Sequence, residues 1–364
     1  MISIFSVSKL SSNPSQAVST IRFNVFKRLD PQEIVYWTTT DSEKLIQGSI
    51  KKIPVKSKNK YFQFLEKIYW MRRLKPDIIL FTGDSFELIF FLFRLRRSLV
   101  VLNLNGPMPG NYWEYPFPLS FYLFYSLKFL IKRSDFILTI TNSCRESLRP
   151  FTDISKVFVI YNGVDIDSFC PSNKNQNILE KEYGISFQKP VILYVGSFVR
   201  RKRPGTVLKL AEKNSDLNFV FVGACQDNDL RDQMKKLKNV TYIPQMGREK
   251  LSLLFSSATA FCFPSLFEGF GMVIAEAMAS GCPVIASKHQ GPAELIENRK
   301  DGILIDVSDE ELNEFQSALR KIIEDDKFRE RLSRNARKKS KKLFDWSILK
   351  DEWLKFFKKI IIEK

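Results

Sequence analysis

The sequence predicts an α/β protein built from two doubly wound domains with parallel sheets. Short apolar runs rich in β-branched and aromatic residues alternate with helix-length amphipathic segments from end to end. The alternation passes through two successive series separated by a polar, turn-rich break. A chain of 364 residues has room for two domains, each large enough to bury its own core.

In the first series, residues 2–7 (ISIFSV), 33–39 (EIVYWTT), 77–83 (DIILFTG), 99–106 (LVVLNLNG), 135–141 (DFILTIT) and 156–163 (KVFVIYNG) read as strands. Their unbroken apolar character, ending in Gly, Asn or Thr, fits buried parallel strands better than half-exposed ones. Residues 16–29, 61–74 and 117–132 read as helices between them. The break falls near 168–188, where residues 171–177 (PSNKNQN) are polar. The second series places strands at 190–196 (PVILYVG), 217–223 (LNFVFVG), 239–244 (NVTYIP), 258–264 (ATAFCFP), 282–287 (CPVIAS) and 302–306 (GILID). Residues 309–364 show helical patterning only. The expected domains are therefore 1–168 and 169–342, with a terminal helix at 343–364. No repeat of 20–50 residues is visible.

Composition narrows the function classes. With 13% aromatics, 32 of them Phe, the chain holds ample apolar surface to fold. Lys and Arg number 57 against 40 Asp and Glu, a net charge of +17 that suits a nucleic acid, a phosphorylated substrate or an acidic membrane surface. The cysteines (Cys144, Cys170, Cys225, Cys262 and Cys282) are odd in number and scattered without CxxC spacing, which points to a reducing compartment and away from disulfides or structural zinc. His289 is the single histidine, so general-base chemistry must run through it, a carboxylate or the substrate. No segment reads as a signal peptide, and the lipophilic stretch 116–131 contains Lys128 and falls short of the ~20 apolar residues that span a bilayer. The expected location is cytoplasmic, peripheral on the cytoplasmic face of a membrane.

Chemistry concentrates in residues 263–287, FPSLFEGFGMVIAEAMASGCPVIAS. A strand ends at Phe263-Pro264, a loop carries Gly269 and Gly271, and an Ala-rich helix follows to about Ser280. Glycines at a strand-to-helix turn admit close backbone approach, and the N–H groups of Gly271, Met272 and Val273 then face an anion with the helix dipole behind them. Glu276 lies five residues on, about 7.5 Å along the helix, where a carboxylate can accept ribose hydroxyls. Glu268, on the other side of the phosphates, can do the same for a sugar. The bland alternative leaves Glu268 in solvent and Glu276 on the helix surface. A second loop, YVGSFVRRKRP (194–204), follows a strand ending at Gly196 and carries Arg200, Arg201, Lys202 and Arg203 before Pro204 opens a helix. Loops at the carboxyl ends of parallel strands converge, so Lys202 and Arg201 can meet the phosphates above Gly271 and stabilise a diphosphate leaving group. The alternative is a solvated basic loop.

EGFGMVIAEAMASGCPVIAS, then GPAELIENRKDGILI (291–305), VGSFVRRKRP and VIYNGVDIDSF (159–169), resemble the family 4 retaining glycosyltransferases of the GT-B fold, glycosyl transferases group 1. The resemblance covers most of the second domain and reaches back to about Phe136. It implies two Rossmann-like domains facing a central cleft, the acceptor on the first, the nucleotide-sugar donor on the second, and a final helix crossing back to the first. It places Glu276 on ribose, Glu268 and Phe270–Val273 on the donor sugar and diphosphate, Lys202 and Arg201 on the phosphates, and Ile243 and Pro244 beside the base. It implies transfer with retention and no obligatory metal or other cofactor. The expected partners are a nucleotide sugar and a glycan or lipid-linked acceptor, with an anionic membrane surface and no nucleic acid. Three departures stand out. Where the family has a glycine pair after the first strand, residues 11–15 read Ser-Ser-Asn-Pro-Ser, with Asn13 at the centre. Where many members carry a basic residue after the glycine matching Gly196, this chain has Ser197. Where many carry a histidine near the sugar, it has Asn105.

Asp227-Asn228-Asp229 and Asp165-Ile166-Asp167 spell D-x-D, but Asp229 begins a helical pattern after a strand, as an N-terminal cap would, and neither run shows further converging oxygens. His289 reads as a loop residue at the rim of the site. Residues 1–165 hold 23 Lys and Arg against 13 Asp and Glu, and their basic clusters (Lys51, Lys52, Lys56, Lys58, Lys60; Arg72, Arg73, Lys75; Arg94, Arg96, Arg97) flank the aromatic segments 61–70 and 111–125. That mixture suits an anionic leaflet or, alternatively, a buried aromatic helix with a solvated lysine surface. A GT-B nucleotide-sugar epimerase, and a non-catalytic membrane- or polyanion-binding protein with a decayed donor pocket, are the competing functions.

Overall fold

The structure, a computed structural model, describes residues 1–8, 17–40, 42–57, 59–82, 97–106, 117–171 and 176–363, with the backbone alone at 17–20, 43, 60 and 61. Asn13 and its 11–15 loop lie outside the described residues, as do Lys58, Arg94, Arg96, 111–116 and 172–175 of the break.

The chain divides into two compact units, Met1–Gly163 with Trp346–Lys364, and Val164–Asp345. The division falls ahead of the 168/169 boundary expected from composition, for a physical reason. Ser252 Oγ donates to the Ser168 carbonyl, and the Arg337 guanidinium donates to the carbonyls of Phe169 (2.8 Å) and Ile166 (3.0 Å), which ties this stretch to the second unit.

In the first unit, β1 (Ile2–Ser6), β2 (Ile34–Thr38), β3 (Ile50–Lys52), β4 (Ile78–Phe81), β5 (Leu99–Leu104), β6 (Phe136–Thr139) and β7 (Val157–Val159) form one parallel sheet in the order β3-β2-β1-β4-β5-β6-β7. Alternate residues feed two cores. Ile4, Ile78 and Val101 pack with the helix Ala17–Phe26 and the terminal helix Trp346–Ile362. Phe5, Ile79 and Val100 pack with the helices Lys60–Leu74 and Leu119–Arg133 on the opposite face. β3 carries no apolar run: Ile50 points in and Lys51 and Lys52 point out, an edge strand guarded by charge. The terminal helix supplies an aromatic lid to the first core, where Phe26 stacks on Tyr36 at 3.8 Å and lies 6.1 and 6.0 Å from Trp353 and Phe357.

In the second unit, β8 (Val191–Val195), β9 (Asn218–Val222), β10 (Val240–Ile243), β11 (Ala260–Phe263), β12 (Val284–Ser287) and β13 (Ile303–Ile305) form a parallel sheet in the order β10-β9-β8-β11-β12-β13. Burial of β8, β11 and β12 is complete, as their apolar sequences require. All five cysteines are free: Cys144 is buried in the first unit, Cys225, Cys262 and Cys282 in the second, and Cys170 is half-buried. Among the described residues, no helix is long and apolar enough to cross a membrane.

Trp353 is buried in this core with its ring 6.1 Å from Phe26 and 5.7 Å from Phe357, so Trp353→Ala is expected to cost about 3–5 kcal/mol, measurable as an earlier urea unfolding transition for that unit.

Candidate active site

β8 and β11 are hydrogen-bonded neighbours, with Ala260 beside Ile192 and Phe261 beside Leu193. From β8 the chain proceeds to β9 on one side, and from β11 to β12 on the other, so the loops after these two strands flank the point where strand order reverses. Ligands of open parallel sheets bind outside the carboxyl ends of the strands at such a point. Both motif loops of the sequence are there.

The first loop leaves β8 at Gly196, whose N–H donates to the Val222 carbonyl (3.0 Å). Ser197 is exposed, and its carbonyl accepts from the Tyr194 hydroxyl (3.2 Å). Arg200–Lys202 then form one 3-10 turn, and Arg203 adopts φ 47° before Pro204 starts the helix Pro204–Lys213. That turn separates the four basic residues. Arg200 is exposed. Arg203 turns inward, donating to the Pro264 carbonyl (2.8 Å) and pairing with the buried carboxylate of Glu311, and so ties the two loops to the helix Glu311–Glu324. Lys202 and Arg201 converge on Glu268. Lys202 Nζ bonds its Oε2 directly, and an Arg201 nitrogen lies 3.5 Å from the same atom. A solvated basic loop describes Arg200 alone.

The second loop is fastened to the first along its backbone. Leu266 N–H donates to the Arg201 carbonyl (2.8 Å) and the Arg201 guanidinium to the Phe267 carbonyl (3.1 Å). Gly271 has φ 93°, the left-handed region that favours glycine, and the helix Met272–Ala279 follows. Its first intrahelical bond runs from Ile274 N–H to the Gly271 carbonyl, so the N–H groups of Gly271, Met272 and Val273 form an open helix N-terminus. Gly269 and Phe270 are buried, and the Phe270 ring packs edge-on against Phe344 at 5.6 Å. The ring of Phe270, a residue expected at the donor, therefore belongs to the core, which leaves its main chain for that expectation. Gly291 closes the loop from behind: its N–H reaches the Glu268 carbonyl (3.1 Å), and a Cβ would fall 2.7 Å from that oxygen.

Glu276 is buried, which removes its reading as a surface residue. Arg248, the first residue of the helix Arg248–Ser257, donates to it at 3.0 Å while lying 4.9 Å over the Phe169 ring. Burial raises the Glu276 pKa and the Arg248 charge opposes that rise. At Lys202 the sign is reversed: burial lowers its pKa and Glu268 opposes the fall. At the end of β10, Ile243 is buried and Pro244 is exposed. Arg248, Gly291 and Glu311 were missed from sequence. Their signal was their place on loops or helices that follow β10, β12 and β13.

His289 precedes the helix Gln290–Leu295, and both ring nitrogens are buried without a hydrogen bond of normal geometry. Burial pushes its pKa down to about 4 against the pull of Glu268, so the imidazole is neutral at pH 7 and a poor proton acceptor. Asp227 rather than Asp229 caps the helix Asn228–Lys236, because its carboxylate accepts from Leu230 N–H (3.1 Å) while Asp229 lies within the first turn; Asp165 accepts from Ser168 N–H (3.2 Å). In the first unit, Asn105 follows β5 with both amide atoms buried and unpartnered, as are those of Asn103 two residues before it. The sequence singled out Asn105 and missed Asn103.

Arg248→Met removes the positive charge beside Glu276, so the Glu276 pKa rises further. A raised carboxyl pKa disfavours the folded state increasingly as pH climbs through it. The variant is expected to melt about 2–4 °C below the parent chain at pH 8 and at the same temperature near pH 4.5, by differential scanning calorimetry.

Two family models match the chain: the model described as Glycosyltransferase Family 4 over residues 33–168 and that described as Glycosyl transferases group 1 over residues 175–339. A D-inositol 3-phosphate glycosyltransferase of Nocardioides sp. is 28% identical over 217 residues, covering 53% of this chain and 46% of that protein. The UDP-Gal:alpha-D-GlcNAc-diphosphoundecaprenol alpha-1,3-galactosyltransferase of Escherichia coli is 31% identical over 205 residues, 52% of this chain and 50% of that one. The chain spans about half the length of these relatives. Among solved structures, Anabaena Alr3699/HepE in complex with UDP and glucose superposes with a TM-score of 0.79 at 18% identity, covering 99% of this chain and 100% of that one. The two models divide between them most of the sequence, and the fold is that of the superposed structure: the chain belongs to the family 4 glycosyltransferases of the GT-B fold.

Proposed function

We propose that this protein is a retaining glycosyltransferase that moves a sugar from a nucleoside-diphosphate donor to a glycan or lipid-linked acceptor without an obligatory metal. The observation that carries the reading is the cluster of Lys202, Arg201 and Glu268 beside the open N-terminus at Gly271–Val273, with the buried carboxylate of Glu276 further along the same helix. The three side chains sum to one positive charge, and the helix end adds about half a charge more, a field suited to a diphosphate.

In this reading the N–H groups of Gly271, Met272 and Val273 take the diphosphate oxygens, with Gly196 and Ser197 on the opposite loop. Glu276 accepts the ribose hydroxyls and Ile243 and Pro244 flank the base. Glu268 and the main chain of Gly269 and Phe270 hold the sugar. As the bond from the sugar's anomeric carbon to the diphosphate oxygen breaks, Lys202 and Arg201 stabilise the charge that develops on that oxygen. The same oxygen takes the proton of the incoming acceptor hydroxyl, and the new bond forms on the face the diphosphate leaves. The route needs no protein base, which suits a His289 that binds protons poorly. Asn105 and Asn13 are assigned to the acceptor side. The galactosyltransferase relative is named for a diphosphoundecaprenol-linked acceptor. With an acceptor of that kind, the reading extends to a peripheral protein at the cytoplasmic face of a membrane.

A thermal-shift panel of UDP, GDP and ADP with their hexose conjugates, with and without EDTA, tests the donor site. One nucleoside diphosphate is expected to raise the melting temperature equally in both conditions. A flat panel with no sugar release or transfer overturns the reading in favour of a non-catalytic polyanion-binding protein. In steady-state assays, Lys202→Met is expected to lower kcat by about 10²–10³ with KM little changed, since its charge acts on the leaving group. Glu268→Gln removes the charge that opposes the fall in pKa imposed on half-buried Lys202 by desolvation. The alkaline limb of its kcat/KM profile is expected at lower pH than in the parent chain, and an unshifted limb separates Glu268 from Lys202.

A further inference from the structure

We infer that the outer sides of the helices Lys60–Leu74 and Leu119–Arg133 form a docking face for an anionic bilayer surface. The inference deepens the reading of a lipid-linked acceptor and rests on it for its purpose, but its physical argument is separate.

Both helices bury their inner sides in one core. Ile68 and Met71 from the first and Leu127, Leu130 and Ile131 from the second pack with Phe5, Val100 and Ile137 of the sheet. A helix seated this way ordinarily presents polar residues to water. Here Phe117 is 81%, Phe62 60% and Phe121 56% exposed, and Leu65, Tyr69, Tyr122 and Tyr125 are exposed as well. These residues form a stripe on each helix. At 100° per residue, Phe121, Tyr122, Tyr125, Lys128 and Lys132 occupy about a third of the helix circumference. The rings of Phe117, Phe121 and Tyr125 follow one another at centroid separations of 6.5 and 4.3 Å.

Cations are interleaved with the rings. Lys128 lies 5.7 Å over Tyr125 and Arg133 5.6 Å over Phe129; on the other helix Arg73 donates to the Tyr69 hydroxyl at 2.6 Å and lies 5.5 Å over Trp70. The helix Leu119–Arg133 contains no acidic residue. The helix Lys60–Leu74 contains one, Glu66, and its carboxylate accepts the N–H groups of Lys56 (2.8 Å) and Ser57 (3.3 Å). The face is therefore apolar and cationic together. Aromatic rings settle at headgroup depth and Lys and Arg snorkel to lipid phosphates, so a bilayer with anionic lipid satisfies both halves of this surface. A second copy of the chain would satisfy only the rings, because two-fold pairing sets this face against itself and brings like charges together.

The test is co-sedimentation of the full chain with phosphatidylcholine vesicles, with and without phosphatidylglycerol, across a salt series. The expected result is binding to the phosphatidylglycerol vesicles that weakens with salt. Lys128→Gln with Lys132→Gln is expected to lower partitioning about 25-fold, at roughly fivefold per charge. Phe121→Ser with Tyr125→Ser is expected to lower it at least about tenfold. Both variants replace exposed or half-exposed side chains, and unchanged circular dichroism and unfolding midpoints certify their fold. Equal binding by variants and parent chain, or no vesicle binding beside concentration-dependent dimerisation or binding to a single-stranded oligonucleotide, overturns the inference. The assay contains no donor or acceptor, so its failure is distinct from failure of the transferase reading.

Discussion

The pairing of β8 with β11 brings two unlike loops together at the carboxyl end of the sheet, one carrying four basic residues and the other a glutamate and an open helix end. The site follows from how that charge is shared out. A φ of 47° at Arg203 turns one cation of the run away from its neighbours. Such a conformation costs about 1–2 kcal/mol for a residue with a Cβ. A charge-assisted hydrogen bond of about 1.5–3 kcal/mol to the buried Glu311 carboxylate offsets it. The tie fixes the spacing of the two loops, and Lys202 and Arg201 are left for Glu268.

The charges of the site are stored as couples. In one the cation is the more buried member, Lys202 with Glu268; in the other it is the anion, Glu276 with Arg248. An isolated buried charge would cost several kcal/mol, so each partner lowers the cost of keeping the site charged before a ligand arrives. In the proposed reading, an incoming diphosphate competes with Glu268 for a lysine that is already in place, and Glu268 opposes the fall in pKa that burial imposes on it.

Much of this architecture is legible in sequence because parallel strands buried on both faces announce themselves as apolar runs. β3 is silent because a three-residue edge strand with one inward side chain has no run to show. The site is legible where one segment contains both backbone and chemistry, as in Glu268 to Glu276. It is illegible where function depends on pairing across sequence. Arg248 and Glu276 are 28 residues apart and meet only through the sheet order. Within Arg200–Arg203 four cations look alike in a string of letters, and only the backbone turn distinguishes the tie to Glu311 from the two cations that meet Glu268. Phe270 shows the converse: it sits inside the motif, while its ring serves the core.

The distribution of thiols gives each half of the molecule its own reporter. Cys144 is sealed in the first unit and Cys225, Cys262 and Cys282 in the second, with burial alone pushing the Cys262 pKa up to about 12. Only Cys170 is partly open to solvent. A thiol reagent therefore meets one site in the native chain, and every further modification marks an opening event in an identifiable half. Peptide mapping of label taken up over time would separate the stabilities of the two units in the intact chain, without any introduced probe.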